Sequence, residues 1–370
     1  MVNYSPQYLV IDNWERLYEI NTLGTRSKFV VLSPTNDIYY FKTSLKKIVD
    51  GKVVKEFPCE FWSEIVASQL GDMLNLPVLR YDIAAYKDTL GCISKNMAKD
   101  DEEITEGVRI IANIMPSFPV DPNYKQKHFL DLVQKSLARI GISKFKRIAI
   151  EMLLFDCIIG NTDRHSENWA LIKKNKVFLK LDDAITRKLS IKEFLYLLIN
   201  NELRKEWFEF RKNRKLFFDY FKREFNLSRE DTIKLIHDNT YEFAPFYDNG
   251  SSLGREIAEE RLEDMLKDNS KSFERYFSNG YPDIRVAENK TTFNDTIIFL
   301  LEHYPEECAH FISNHLNKYD KERFLSLVNN IDLALPPTGF ENFRLSELRK
   351  QLIVKIIDSR ITHIFDNIPI

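Results

Sequence analysis

Cysteine is scarce and scattered in this chain. The four present, Cys59, Cys92, Cys157 and Cys308, form no CxxC pair, so neither a disulfide framework nor a cysteine-built zinc site is expected, and a reducing cytoplasmic setting fits best. Glycine is also sparse, at 11 of 370 residues, which disfavours a glycine-punctuated all-β fold and favours helix. No run of about 18 apolar residues occurs, so no membrane span is expected. The first residues, MVNYSPQYLVIDNWERLYEI, lack the basic start and apolar stretch of a signal peptide. The formal charge of −2 leaves no basic excess of the kind that drives nucleic-acid binding, and direct binding of that kind is not expected.

What is present reads as two unequal parts. The chain is too long for one small core. Residues 28–42, KFVVLSPTNDIYYFK, predict two short strands around a polar turn. Residues 59–74, CEFWSEIVASQLGDML, predict an amphipathic helix with Phe61, Ile65, Leu70 and Leu74 at helical spacing. Two more strands follow, with a turn near Asp88. The acidic stretch 98–107 reads as a joint, after which helix dominates. Residues 143–160 predict a buried helix with Gly160 just past its end. Residues 169–181 alternate like a hairpin, 184–240 read as a helical insertion with a basic cluster at Arg211, Lys212, Arg214 and Lys215, and helix resumes from about 255.

The chemistry concentrates in DRHSEN. Asp163 and Asn168 are five apart, the spacing of the Asp and Asn in a protein-kinase catalytic loop, where a carboxylate faces the attacking hydroxyl and an amide oxygen holds a metal ion. Arg164 and His165 would brace that loop. On spacing alone a polar helix–strand turn explains the run equally well. The flanks are more specific. GNTDRHSENWALI resembles the catalytic loop of HipA-like kinases, and DRHxxN is also the loop pattern of phosphatidylinositol 3- and 4-kinases. A second block, FAPFYDNGSSLGRE at 243–256, is similar to the HipA-like metal-binding segment.

The resemblance implies an α+β, bilobal, protein-kinase-like fold: a small β-rich N-lobe (1–97) and a larger, mostly helical C-lobe (98–370), with an insertion over 173–240. It implies ATP and Mg²⁺ as cofactors, with Asn168 and Asp248 as metal ligands; Ser251 and Ser252, directly after, read as shaping the turn rather than as nucleophiles. Asp182 and Asp183, at the end of another predicted strand, are the rival metal ligands. Lys42 on a strand and Glu64 on the next helix match the lysine and glutamate that hold ATP phosphates. LGTRSKFVV resembles the family's phosphate loop through Gly24, Arg26 and Lys28, with Thr25 or Ser27 as an autophosphorylation position, and residues 92–97 would form the hinge that meets adenine. The expected activity is phosphoryl transfer to Ser or Thr of a protein substrate, with a toxin role and a small DNA-binding antitoxin as what the family adds. A lipid or small-molecule kinase, or a non-catalytic nucleotide- or nucleic-acid-binding module, are the alternatives. The histidines His128, His237, His303, His310 and His315 show no metal-ligand constellation, since the five-residue spacing of His310 and His315 suits no single helix face.

Overall fold

The computed structural model describes residues 4–18, 28–49, 52–99, 102–121, 123–174, 226–232 and 240–368, and six further positions between 212 and 223. The expected phosphate-loop residues Gly24, Thr25, Arg26 and Ser27, the rival acids Asp182 and Asp183, and the basic positions Arg211 and Arg214 lie outside the described residues.

The N-terminal lobe is a six-stranded sheet. Its strands are β1 (Tyr8–Val10), β2 (Glu15–Leu17), β3 (Lys28–Leu32), β4 (Ile38–Thr43), β7 (Asp82–Tyr86) and β8 (Thr89–Lys95), in the order β1-β7-β8-β4-β3-β2. β5 (Lys46–Val49) and β6 (Lys52–Glu56) form a separate ribbon. The β3–β4 turn closes on a bond from Ser33 N–H to Asp37 O, with Asn36 at φ 61°, a left-handed conformation that asparagine tolerates. The expected strand–strand–helix–strand–strand unit is therefore present, and β1 and β2 extend it at both edges.

Helix α1 (Glu60–Leu74) lies between this sheet and the helical lobe. The expected apolar stripe of Phe61, Ile65, Leu70 and Leu74 is buried, but so are Ser63, Glu64, Ser68 and Gln69. The helix is enclosed rather than amphipathic: Ser63 donates to Ser252 O, Ser68 to Ile65 O, and Glu64 takes Lys42 and the Asn249 N–H, whereas the buried Gln69 amide nitrogen has no hydrogen-bond partner among the described residues.

The helical lobe is built around α4 (Lys146–Ile159), which is buried from Ala149 to its end. The helices α3 (Leu130–Arg139), Phe293–His303, Pro305–Asn314 and Glu347–Asp366 pack around it. Gly160 closes α4 at φ 68°, ψ 39°, where the absence of Cβ permits the left-handed cap.

Two expectations are corrected between the lobes. The acidic joint is partly a strand, β9 (Glu103–Glu106), followed at once by the short helix α2 (Gly107–Ala112). The strand expected at the start of the 169–181 hairpin is β10 (Ala170–Lys173), but its partners are β9 on one side and β11 (Tyr241–Phe243) on the other; residues 175–181 of the expected hairpin lie outside the described residues. Sequence alternation marks a strand but says nothing about which strand pairs with it.

Candidate functional site

Three segments far apart in sequence meet between the lobes. The first is the loop that leaves α4. Asp156, in the last turn of α4, and Arg164 are both fully buried, and the guanidinium clasps the carboxylate through Nε at 3.2 and 3.0 Å and a terminal nitrogen at 2.8 Å. Asn161 donates to the same carboxylate at 3.0 Å. Burial pushes the Asp156 carboxyl up while the Arg164 charge opposes it, and the guanidinium, though penalised by burial, is held above its ordinary range by Asp156. Arg164 also donates to Asn168 O at 2.9 Å, to Tyr247 O, and to Asn249 Oδ1 at 2.6 Å. One planar, five-donor side chain therefore binds helix, loop and the second motif block together, a task a lysine could not perform.

Within the loop, Asn161 Oδ1 accepts Asp163 N–H at 3.1 Å, and Asn168 Nδ2 donates to Asp163 O at 2.7 Å. That bond restrains the Asn168 amide through its nitrogen and leaves its oxygen out of the bond. His165 acts mainly through its backbone, which accepts Asn168 N–H at 2.8 Å, while its ring Nδ1 accepts Glu167 N–H at 3.3 Å. Trp169 fixes the exit of the loop by stacking on Phe243, with ring centroids 6.1 Å apart. It leaves no room for a side chain at residue 107: a Cβ on Gly107 would fall 2.1 Å from the indole.

The second segment follows β11. Phe246 makes a parallel bridge to Val78, with Leu79 N–H donating to Phe246 O at 3.0 Å, so the chain is pinned against the N-terminal lobe just before Asp248. Asp248 has φ 57°. A non-glycine residue in the left-handed region costs roughly 1 kcal/mol and persists where its surroundings enforce it. Beyond it, Thr162 N–H donates to Ser251 O at 3.2 Å, Leu253 N–H to Ile159 O at 2.9 Å, and Ser251 Oγ lies 3.5 Å from Asp163 Oδ2. Ser252 Oγ donates to Asn249 O at 2.5 Å, so both serines shape the turn.

The third segment is on the sheet lobe. Lys42 Nζ lies 3.3 Å from Glu64 Oε1, 3.3 Å from Tyr81 OH and 3.2 Å from Asp248 Oδ1. Lys42 is 14% exposed, Glu64 1% and Asp248 24%, so the carboxylate from the helical lobe is the accessible member. Burial works to lower the Lys42 ammonium, but Asp248 and Glu64 outweigh it and hold it well above the ordinary lysine range. Lys28 stands opposite Lys42 in the β3–β4 register, and its charge acts on Glu106 of β9.

Asp163, Asn168, Asp248, Lys42 and Glu64 are thus tied into one bonded network, with Arg164 beneath it. The sequence reading missed Asn249, which takes Glu64 through its backbone N–H at 2.7 Å and Arg164 through its side chain. It also missed Asp156 and Tyr81. Asn249 adjoins Asp248 in the second motif block, a signal that could have found it. Asp156 and Tyr81 carry no such local mark.

A small β-rich lobe over a helical lobe, with these residues between them, is a kinase-like fold. Among solved structures, the chain is similar to the proinflammatory kinase CtkA of Helicobacter pylori, at 15% identity and a TM-score of 0.65, covering 97% of this chain and 96% of that one. It also aligns with HipA of Shewanella oneidensis MR-1, solved with HipB and operator DNA as a toxin–antitoxin system, at 12% identity and a TM-score of 0.43, covering 95% of this chain and 65% of that one. No protein-family model matches the sequence, and no curated protein matches it. No helix among the described residues is long and apolar enough to cross a membrane.

Proposed function

We propose that the protein is an ATP- and Mg²⁺-dependent kinase that transfers phosphate to Ser or Thr of a protein substrate. The observation that carries this reading is the junction of Lys42, Glu64 and Asp248 across the lobes, beside a loop that presents Asp163 and Asn168. Phosphoryl transfer needs little covalent help from the protein; positioning and charge stabilisation supply most of the catalysis.

Asn168 Oδ1 and the Asp248 carboxylate are hard oxygen donors of the kind that would hold Mg²⁺, which would supply positive charge against the phosphates. Lys42, kept charged by its carboxylate neighbours, would hold the nucleotide phosphates, and Glu64 keeps the ammonium in place. Asp163 would accept or orient the acceptor hydroxyl proton. Adenine would meet the backbone of Ser94 and Lys95 on the side where β7 no longer pairs, since the β7 ladder ends at Ile93 while the β4 ladder continues to Lys95. A small DNA-binding antitoxin as partner rests on the motif resemblance alone.

The test is incubation with labelled ATP and Mg²⁺, with mass spectrometry of the modified residues on the protein itself and in a lysate. Label on Ser or Thr that requires Asp163 supports the reading. An Asp163→Ala protein that incorporates phosphate at the wild-type rate would sink it.

A further inference from the structure

A second cluster of ligating side chains lies elsewhere on α4. Glu151 precedes Asp156 by five residues, which places it about 140° round the helix from the carboxylate that anchors the catalytic loop. Glu151 is nearly fully buried. Its Oε1 lies 3.0 Å from His310 Nδ1, on the helix Pro305–Asn314. That helix ends before His315, whose φ of −125° and ψ of −62° are not helical. The five-residue spacing therefore does not carry His315 to another face, as a continued helix would. The chain turns it back, and the two imidazole rings stand 5.9 Å apart. The expectation that His310 and His315 belong to no ligand constellation is corrected for this reason, with the third member supplied from 159 residues away.

The tautomer of His315 is fixed by its surroundings. Its Nδ1 lies 3.1 Å from the carbonyl oxygen of Leu74, the last residue of α1. A carbonyl can only accept, so Nδ1 carries a proton, and in the neutral ring Nε2 is the nitrogen left to ligate. An imidazole that donates one N–H to a backbone carbonyl and presents the other nitrogen is in the state found in metal-ligating histidines. One ligand atom from each of Glu151, His310 and His315 lies within 4.8 Å of the other two. Tetrahedral ligands at about 2.0 Å from an ion are about 3.3 Å apart, so closure needs a movement of about 1.5 Å at most. His310 lies at the surface end of the group and is free to supply it.

We propose that Glu151, His310 and His315 form a binding site for a divalent transition metal of the Zn²⁺ class, separate from the hard-cation site between the lobes. Two imidazoles and one carboxylate suit Zn²⁺ and its neighbours, whereas Mg²⁺ and Ca²⁺ select oxygen ligands. Three protein ligands leave a fourth position for water. The bound ion would join α4 to the helix Pro305–Asn314 and, through the His315 bond to Leu74, to the end of the helix that carries Glu64. Arg147 brings an opposing positive charge to the group, with Nε 3.7 Å from Glu151 Oε1. It is half exposed, and its side chain can swing into solvent.

The test uses the full chain, treated with chelator and kept in saturating Mg²⁺. Zn²⁺ is titrated by calorimetry and Co²⁺ by visible absorption. The expected result is one equivalent of Zn²⁺ bound and a tetrahedral Co²⁺ spectrum. His310→Ala and His315→Ala should each weaken binding by about 100-fold or more, beyond the 10–100-fold usual for an outer-shell change. Arg147→Gln, at a half-exposed position that leaves folding intact, should tighten it several-fold. The proposal is overturned if the wild type binds no Zn²⁺ under these conditions, if both histidine variants bind as the wild type does, or if Arg147→Gln weakens binding.

Discussion

Glu64 holds both sides of the cleft at once: Oε1 takes the Lys42 ammonium at 3.3 Å, and Oε2 accepts the backbone N–H of Asn249 at 2.7 Å. A residue of the sheet lobe thus fixes the backbone next to Asp248, 185 positions away. Glu64→Ala removes a buried charge partner and leaves a buried N–H without its acceptor. The expected loss is about 3–5 kcal/mol in chemical denaturation, the range for breaking a buried pair on one side. Glu64→Gln keeps an oxygen for Asn249 and should recover part of that stability while leaving phosphoryl transfer impaired.

Arg164→Lys should behave as a disruptive substitution. An ammonium cannot reproduce the fork on Asp156 together with the bonds to Asn168 O and Asn249 Oδ1. A loss of about 3–5 kcal/mol is expected. Pairing Arg164→Met with Asp156→Asn should cost less than the sum of the single changes, because the second substitution removes the stranded charge. Additive losses in urea titrations would count against the buried pair as the organising contact.

Asp163→Asn should lower phosphate incorporation by about 10²–10⁴-fold, the usual worth of general acid–base assistance. The melting temperature and ATP affinity should stay near wild type, because the Asp163 backbone bonds to Asn161 and Asn168 are kept and asparagine retains an oxygen for Ser251 Oγ. A parallel loss of ATP binding in calorimetry would move Asp163 out of this role.

Gly160 should tolerate asparagine better than alanine. At φ 68° a Cβ costs about 1–2 kcal/mol, and nothing stands closer than 3.5 Å to the position it would take, so the cost lies in the backbone. Asparagine visits this conformation more readily and should lose less in thermal melts.

Glu106 offers a pH test. Burial, then the Glu167 carboxylate, raise its carboxyl above the ordinary range, against Arg109, Lys28 and His165. A raised folded-state value means that the folded protein holds this proton more tightly than the unfolded chain. Its contribution to stability is therefore full below the unfolded value and is lost as pH rises through the folded one. Glu106→Gln should melt higher than wild type at pH 7, and the difference should vanish below about pH 4. A difference that grew on acidification would contradict the sign.

The parts of the site readable in the sequence were those carried by local strings. DRHSEN and APFYDNGSS mark Asp163, Asn168 and Asp248 because the resemblance rests on those residue types at fixed local spacing. Lys42 and Glu64 were readable only through the order strand, then helix. Asp156 was not, because a carboxylate within an apolar helix gives no sign of the guanidinium eight residues later that makes its burial tolerable. Tyr81 escaped for the same reason, since its partner lies 39 residues away. Strands β10 and β9 were assigned to a hairpin and a joint because alternation and acidity are local, while pairing is decided by what else reaches the edge. Helix α1 looked amphipathic because buried Ser63 and Ser68 resemble solvent-facing serines until the backbone carbonyls they donate to are known.

The β10–β11 pair has a consequence for how a chain of this fold can vary. Lys173 and Tyr241 face each other in register, about 4.8 Å apart as neighbouring strands are, although 67 residues separate them along the chain. The pair acts as a socket with two fixed contacts. Doubling the length of what is plugged into it costs only about 0.6 kcal/mol of closure entropy. The intervening sequence can therefore lengthen while Asp248 keeps its place beyond β11.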